Sequence, residues 1–246
     1  MRVETFHTGG APALALRLPS GSVEVETVDG DETRVELEGL NDAGREAVEE
    51  ALVEHSGDEV RVEVLREKTI ILAFRAPRIR LRVTCPHGTR LRAEIVAADL
   101  RARGSLGASD VKTVSGDVEL PDVGGDLTLK TVSGDLVAGR VDGALSVNTV
   151  SGDVRVGAVA SSVSGKTISG DLAVRSVSSG TVGLQSVSGD LRVGIASGIG
   201  VWMDLKSVSG DTRSDLAPAD GPGESEASTV EVRAKSVSGD IHLARA

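Results

Sequence analysis

Seven aspartates occupy equivalent points of a recurring phrase: Asp117, Asp135, Asp153, Asp171, Asp190, Asp211 and Asp240. The first four lie 18 residues apart, and the later gaps are 19, 21 and 29. In the most regular stretch each closes the same turn, Ser115-Gly116-Asp117, Ser133-Gly134-Asp135, Ser151-Gly152-Asp153 and Ser169-Gly170-Asp171. Carboxylates in series can hold cations, and the calcium candidates are Asp117, Asp135, Asp153, Asp171 and Asp190. Calcium takes six to eight oxygens, and a Gly-Asp turn offers few. The double glycine of calcium-binding nonapeptide rolls survives only at Gly124-Gly125. A pair of carboxylates about 5 Å apart could also serve glycoside hydrolysis. The same pair recurs along the whole series, however, which marks a structural ladder and not an active site. The remaining reading is that each carboxylate accepts backbone N–H bonds from its own turn. That would offset a repulsion on the order of 1 kcal/mol per neighbouring pair in water. The expectation is therefore a ladder, with no catalytic residue, no bound metal and no cofactor.

The other reactive side chains form no constellation. His7, His55, His87 and His242 are scattered, with neither a Ser-His-Asp grouping nor metal-ligand spacing. Cys85 is the only cysteine, which rules out an internal disulfide and suits a buried apolar filler. Trp202 reads as a core or loop packer. Lys112, Lys130, Lys166, Lys206 and Lys235 recur in step with the aspartates and are expected to balance them as solvated charge.

The elements that position these residues follow from the period. After each turn comes an apolar-any-apolar triplet, as in Val118-Glu119-Leu120, Val154-Arg155-Val156 and Leu172-Ala173-Val174. That alternation marks a half-buried strand, and the glycine at each corner permits a positive φ. Short strands at constant period stack coil on coil, about 4.8 Å apart. The fold class is thus all-β, a single-stranded parallel β-solenoid of 18-residue coils. A Thr/Ser column (Thr113, Thr131, Thr149, Thr167, Ser186, Ser207, Ser236) precedes a Val/Ile column (Val114, Val132, Val150, Ile168, Val187, Val208, Val237). Strict alternation points the first column inward. A bulge at the corner would bury the second, and burial is expected of it.

Residues 1–87 read as a strand-rich N-terminal cap, and residues 88–246 as the solenoid. The cap contains a degenerate early copy of the repeat around Ser20-Gly21-Ser22. It also contains one helix, 42–55, capped by Asn41 or Asp42, then strands over 61–65, 69–74 and 78–84. A polar surface loop is expected at 217–228. Seen from the last repeat, the C-terminal coil is open, and a homo-oligomer through that coil is expected.

Composition narrows the function classes. The 246-residue chain has a net charge of −10 and 1% aromatic residues. An acidic chain with no basic, aromatic-interleaved patch argues against nucleic acid. No apolar run is long enough to span a membrane, and Met1–Leu18 lacks a signal-peptide core. Membrane insertion is not expected, and a cytoplasmic location is.

Leu18-x-x-Gly21-x-Val23-x-Val25, the strand Arg80-Leu81-Arg82-Val83-Thr84-Cys85-Pro86 with Gly88 behind it, and the serial Thr-Val-Ser-Gly-Asp-Val together resemble one family. It is the bacterial β-strand-repeat "putative adhesin" family, also called toastrack-like domains. The resemblance implies a β-solenoid with no established enzyme activity, some relatives of which sit near cell-envelope-stress systems. The functional expectation is a non-catalytic scaffold that binds protein partners. The alternatives are a calcium-binding β-roll of RTX type and a bactofilin-like polymerising scaffold.

Overall fold

The computed structural model describes residues 1–64, 76–216 and 229–246. Among the described residues the protein is all-β with one helix, its strands in parallel, near-closed solenoid coils. It divides into two compact units, Met1–Gly125 and Asp126–Ala246. No helix among the described residues is long and apolar enough to cross a membrane.

In the first unit the long strand Ala13–Val28 is the hub. It lies parallel to Arg90–Arg103, with Leu18 opposite Ile95, Gly21 opposite Ala98 and Val23 opposite Leu100. Its other edge is shared by Glu59–Glu63 and Ile79–Pro86. The early repeat copy is therefore a full coil of the solenoid. Strands on either side of the expected boundary at 87/88 pair with each other, Ala13–Val28 with Arg90–Arg103. Arg2–His7, Glu32–Gly39 and Ile79–Pro86 form an antiparallel ladder beside that coil. Ile79, Leu81 and Val83 point into the core there, while Arg80 and Arg82 pair outward with Glu38 and Glu24, each at 2.9 Å.

The helix is shorter than the sequence suggests, spanning Asp42–Glu49. Asn41 caps it: its Oδ1 accepts from the Gly44 N–H at 2.8 Å and from the Arg78 N–H at 3.0 Å. Leu52–Ser56 is a strand, antiparallel to Glu59–Glu63, with Val53 opposite Val62. Ala51, Leu52 and His55 fit a helical stripe by spacing. Cross-strand pairing of β-branched residues about the Gly57 turn overrides that local preference. The expected strand 69–74 and loop 217–228 lie outside the described residues.

In the second unit each coil is a pair of strands joined by a Ser-Gly-Asp corner. Leu127–Lys130 and Leu136–Val141 are followed by Leu145–Asn148 and Val154–Val159, then Val163–Ser169 and Leu172–Val177, then Thr181–Ser188 and Leu191–Ile195. Consecutive coils are in register, with Leu136 opposite Val154 and Val154 opposite Leu172. The last three coils depart from chain order. Thr181–Ser188 pairs with Thr229–Ser238, and only then does Thr229–Ser238 pair with Gly200–Ser209. Ile241–Arg245 is likewise sandwiched between Leu191–Ile195 and Thr212–Ser214. The outermost coil is therefore residues 200–214, not the C-terminal coil, and the C-terminal segment is threaded beneath it. Arg245 fastens that segment, its Nη1 donating to the carbonyls of Ala196 and Ile199 at 3.2 and 2.8 Å.

Candidate interaction surface

Three corner glycines, Gly152, Gly170 and Gly189, serve two needs. Gly152, Gly170 and Gly189 have φ of +122°, +128° and +142°, a region that side chains rarely adopt. A Cβ at Gly170 would also run into the carbonyl of Gly152 in the coil beneath. The chain turns here because only glycine fits, and the turn places the following aspartate on the corner.

The aspartate column is satisfied across coils, not within each turn. Asp153 N–H donates to Asp135 Oδ1 at 2.9 Å, Asp171 N–H to Asp153 Oδ1 at 3.0 Å, and Asp190 N–H to Asp171 Oδ1 at 2.9 Å. The series continues through the threaded segment, with Asp240 N–H on Asp190 Oδ1 and Asp211 N–H on Asp240 Oδ1, both at 2.9 Å. In the first unit Asp117 N–H bonds Asp99 Oδ1 at 3.1 Å. The Asp190 N–H holds the Asp171 carboxyl below the usual carboxylate range, against a smaller opposing effect of burial, and Arg192 adds to the lowering. The countercharge comes from arginine two residues after the corner. Arg155 Nη2 is 2.6 Å from Asp153, and Arg192 lies 2.6 Å from Asp190 and 3.1 Å from Asp171. Lys130, Lys166 and Lys235 are exposed and make no direct ion pair with this series among the described residues. Among the described residues, no group of three or more His, Cys, Asp and Glu is placed to hold a metal ion.

The column after the threonines is where the structure overturns the expectation. Val132, Val150, Ile168, Val187 and Val237 are 42–52% exposed. The threonines and serines before them, Thr131, Thr149, Thr167, Ser186 and Ser236, are buried at 4–6%. No bulge turns the aliphatic column inward, because strict alternation holds through the threonine and the aliphatic residue and breaks only at the Ser-Gly-Asp corner that follows. The register sets Ser186 opposite both Thr167 and Ser236, and Ser188 opposite both Ser169 and Ser238. Thr131 and Thr149 spend their hydroxyls on the carbonyls of Ser133 and Ser151 at 3.1 and 3.3 Å. The hydroxyls of Thr167, Ser186 and Ser236 have no partner.

The outcome is a stripe of branched aliphatic side chains at coil spacing, each about 4.8 Å from the next. Beside it, two residues earlier in each coil and on the same face, stand Lys130, Asn148, Lys166, Gln185 and Lys235, all exposed. Lys130, Lys166 and Lys235 form no ion pair among the described residues, whereas Lys112 of the first unit reaches Glu94 at 3.2 Å. The sequence contained this stripe; the assumption that valine seeks the core hid it.

Cys85 is fully buried, and burial pushes its thiol up, partly offset by a hydrogen bond with Thr89. Trp202 is not a core residue: it is 51% exposed, with the Arg233 guanidinium 5.6 Å from its ring centroid. His242 meets Asp215 at 2.8 Å on the surface, away from the other histidines in sequence.

The sequence model of the Toastrack DUF4097 family matches residues 13–245. Solved structures are similar to the chain at low identity. A "putative adhesin" from Parabacteroides distasonis superposes with a TM-score of 0.50 at 11% identity, over 98% of this chain and 96% of that one. A "putative adhesin" from Parabacteroides merdae gives 0.47 at 10% identity, over 98% and 95%. One from Bacteroides fragilis gives 0.44 at 12% identity, over 98% and 96%. No curated protein matches the chain.

Proposed function

The chain belongs to the Toastrack DUF4097 family, and from that premise we propose that it is a non-catalytic interaction scaffold whose aliphatic stripe binds a protein partner. The observation carrying this reading is the pairing of exposed Val132, Val150, Ile168, Val187 and Val237 with Lys130, Lys166 and Lys235, which form no ion pair among the described residues. Contiguous exposed apolar surface is costly to leave in water and marks interaction sites. A flat row of aliphatics at strand spacing fits an extended segment laid along the stack. The flanking cations select acidic residues in that segment and speed its capture.

The test compares capture of proteins from the native cell extract by three baits. They are the unaltered protein, the triple reversal Lys130→Glu, Lys166→Glu, Lys235→Glu, and the stripe variant Val150→Ser, Ile168→Ser, Val187→Ser. A genuine partner is retained by the first and lost by both others, with loss on the lysine variant reproduced by raised salt. An identical captured set on all three baits overturns the reading.

A further inference from the structure

The unit Asp126–Ala246 ends on a coil that is covered on one side only. Among the described residues, Gly200–Ser209 pairs with Thr229–Ser238 alone, and Thr212–Ser214 with Ile241–Arg245 alone. In the inner coils the core-facing residue sends its N–H to the following coil. Leu127 N–H donates to the Ala144 carbonyl, Thr131 N–H to Asn148 and Thr149 N–H to Lys166, each at 2.9 Å. By the same alternation, Met203, Leu205 and Ser207 turn their N–H and C=O groups away from the coil beneath. The core columns also stop unfinished on this strand. Val232 is fully buried, while its register partner Met203 is 41% exposed. The other strand is finished for water: Thr212 and Ser214 stand where the coil beneath has Ile241 and Leu243. Among the described residues both halves of the end present an unpaired edge, one polar and the other apolar.

We propose that the apolar edge is filled by a second copy of the chain, Gly200–Ser209 pairing antiparallel with its own counterpart about a two-fold axis at Leu205. The side chains choose the register. With Leu205 on the axis, Asp204 faces the partner's Lys206 and Lys206 faces the partner's Asp204. Trp202 then faces Val208 of the partner subunit, covering two of the most exposed apolar side chains of the coil, 51% and 83%. Moving the axis to position 204 sets Asp204 against the partner's Asp204. Moving it to position 206 sets lysine against lysine. Both put like charges directly opposite, which is destabilising. The backbone agrees with the same choice. Met203, Leu205 and Ser207 present the free groups, and in this register they meet Ser207, Leu205 and Met203 of the partner subunit as hydrogen-bonded pairs. The interface is isologous and closes as a dimer, so it does not propagate into a filament. It lies on the outer coil and stands independently of the partner-binding stripe.

Sedimentation velocity of the full chain between about 1 and about 200 µM tests this. The expected result is a monomer–dimer equilibrium within that range. Lys206→Asp, which sets carboxylates against each other at both flanks, is expected to weaken the dimer by about tenfold or more. The double variant Asp204→Lys, Lys206→Asp restores the opposition of charge and is expected to recover it to within about threefold of the original. Leu205→Pro removes an N–H that the coil's own ladder does not use; it should yield a monomer with an unchanged thermal melt. A protein that stays monomeric throughout, because this edge takes some other strand or none, overturns the proposal. So does a dimer that Lys206→Asp leaves intact, or one that the charge swap fails to rescue.

Discussion

Gly170 occupies a φ of +128° directly above the carbonyl of Gly152. Alanine there meets both a forbidden backbone region and a backbone atom that the neighbouring coil holds in place. Gly170→Ala is expected to destabilise by about 3 kcal/mol or more, read as a fall in the denaturant midpoint. Gly183, where an added Cβ would have no atom within 4 Å, is the control and should tolerate alanine. Thr167 gives the opposite sign. Its hydroxyl is buried without a partner, and an unmet polar group costs more than an apolar group of the same shape. Thr167→Val should therefore stabilise by about 1 kcal/mol, raising Tm by about 2–4 °C. The residue scale is also where the sequence was hardest to read. Alternation alone placed Thr167 inside and Ile168 outside, and it was right. The general preference of valine for interiors argued against it, and sequence offers no means of weighing a functional exposure against that preference.

At the scale of the element, the corner depends on the aspartate rung more than on the ion pairs beside it. Asp171 has its carboxyl held low chiefly by the Asp190 N–H, so the native state prefers it ionised. A depressed carboxylate contributes stability above its unfolded value near 3.9 and loses that contribution as pH falls through the lower folded value. Asp171→Asn keeps an oxygen for the Asp190 N–H but removes the charge. The difference in Tm between the two proteins should be largest near neutrality and close as pH drops below about 4. A difference that persists unchanged at about pH 2.5 would assign the effect to packing instead. The turns themselves were legible, because Ser-Gly-Asp at fixed spacing has few other uses. The bonding across coils was not, since a turn's own amides and those of the next coil look alike in sequence. The helix Asp42–Glu49 was legible at its start through Asn41 and misjudged at its end. Nothing local in Leu52-Val53-Glu54 announces that Val53 will sit opposite Val62.

At the scale of the whole molecule, the repeat told how coils are built but not the order in which they stack. The phrases at Asp211 and Asp240 are equivalent in pattern, and only the 29-residue gap between them sets them apart. The structure puts the later phrase inside the earlier one. That order has a kinetic consequence, because Gly200–Ser209 has no strand to pair with until Thr229–Ser238 has docked on Thr181–Ser188. A coil without its neighbour cannot bury its apolar side chains or pair its backbone. In pulse-labelled hydrogen exchange during refolding, amides of 200–209 should gain protection together with those of 229–238, and after those of 163–188. A chain cut after residue 216 should keep protection over 127–177 and lose it over 200–214. If the truncated chain protects 200–214 as fully as the intact one, the outer coil can seat directly on Thr181–Ser188, and the threaded order is a preference and not a requirement.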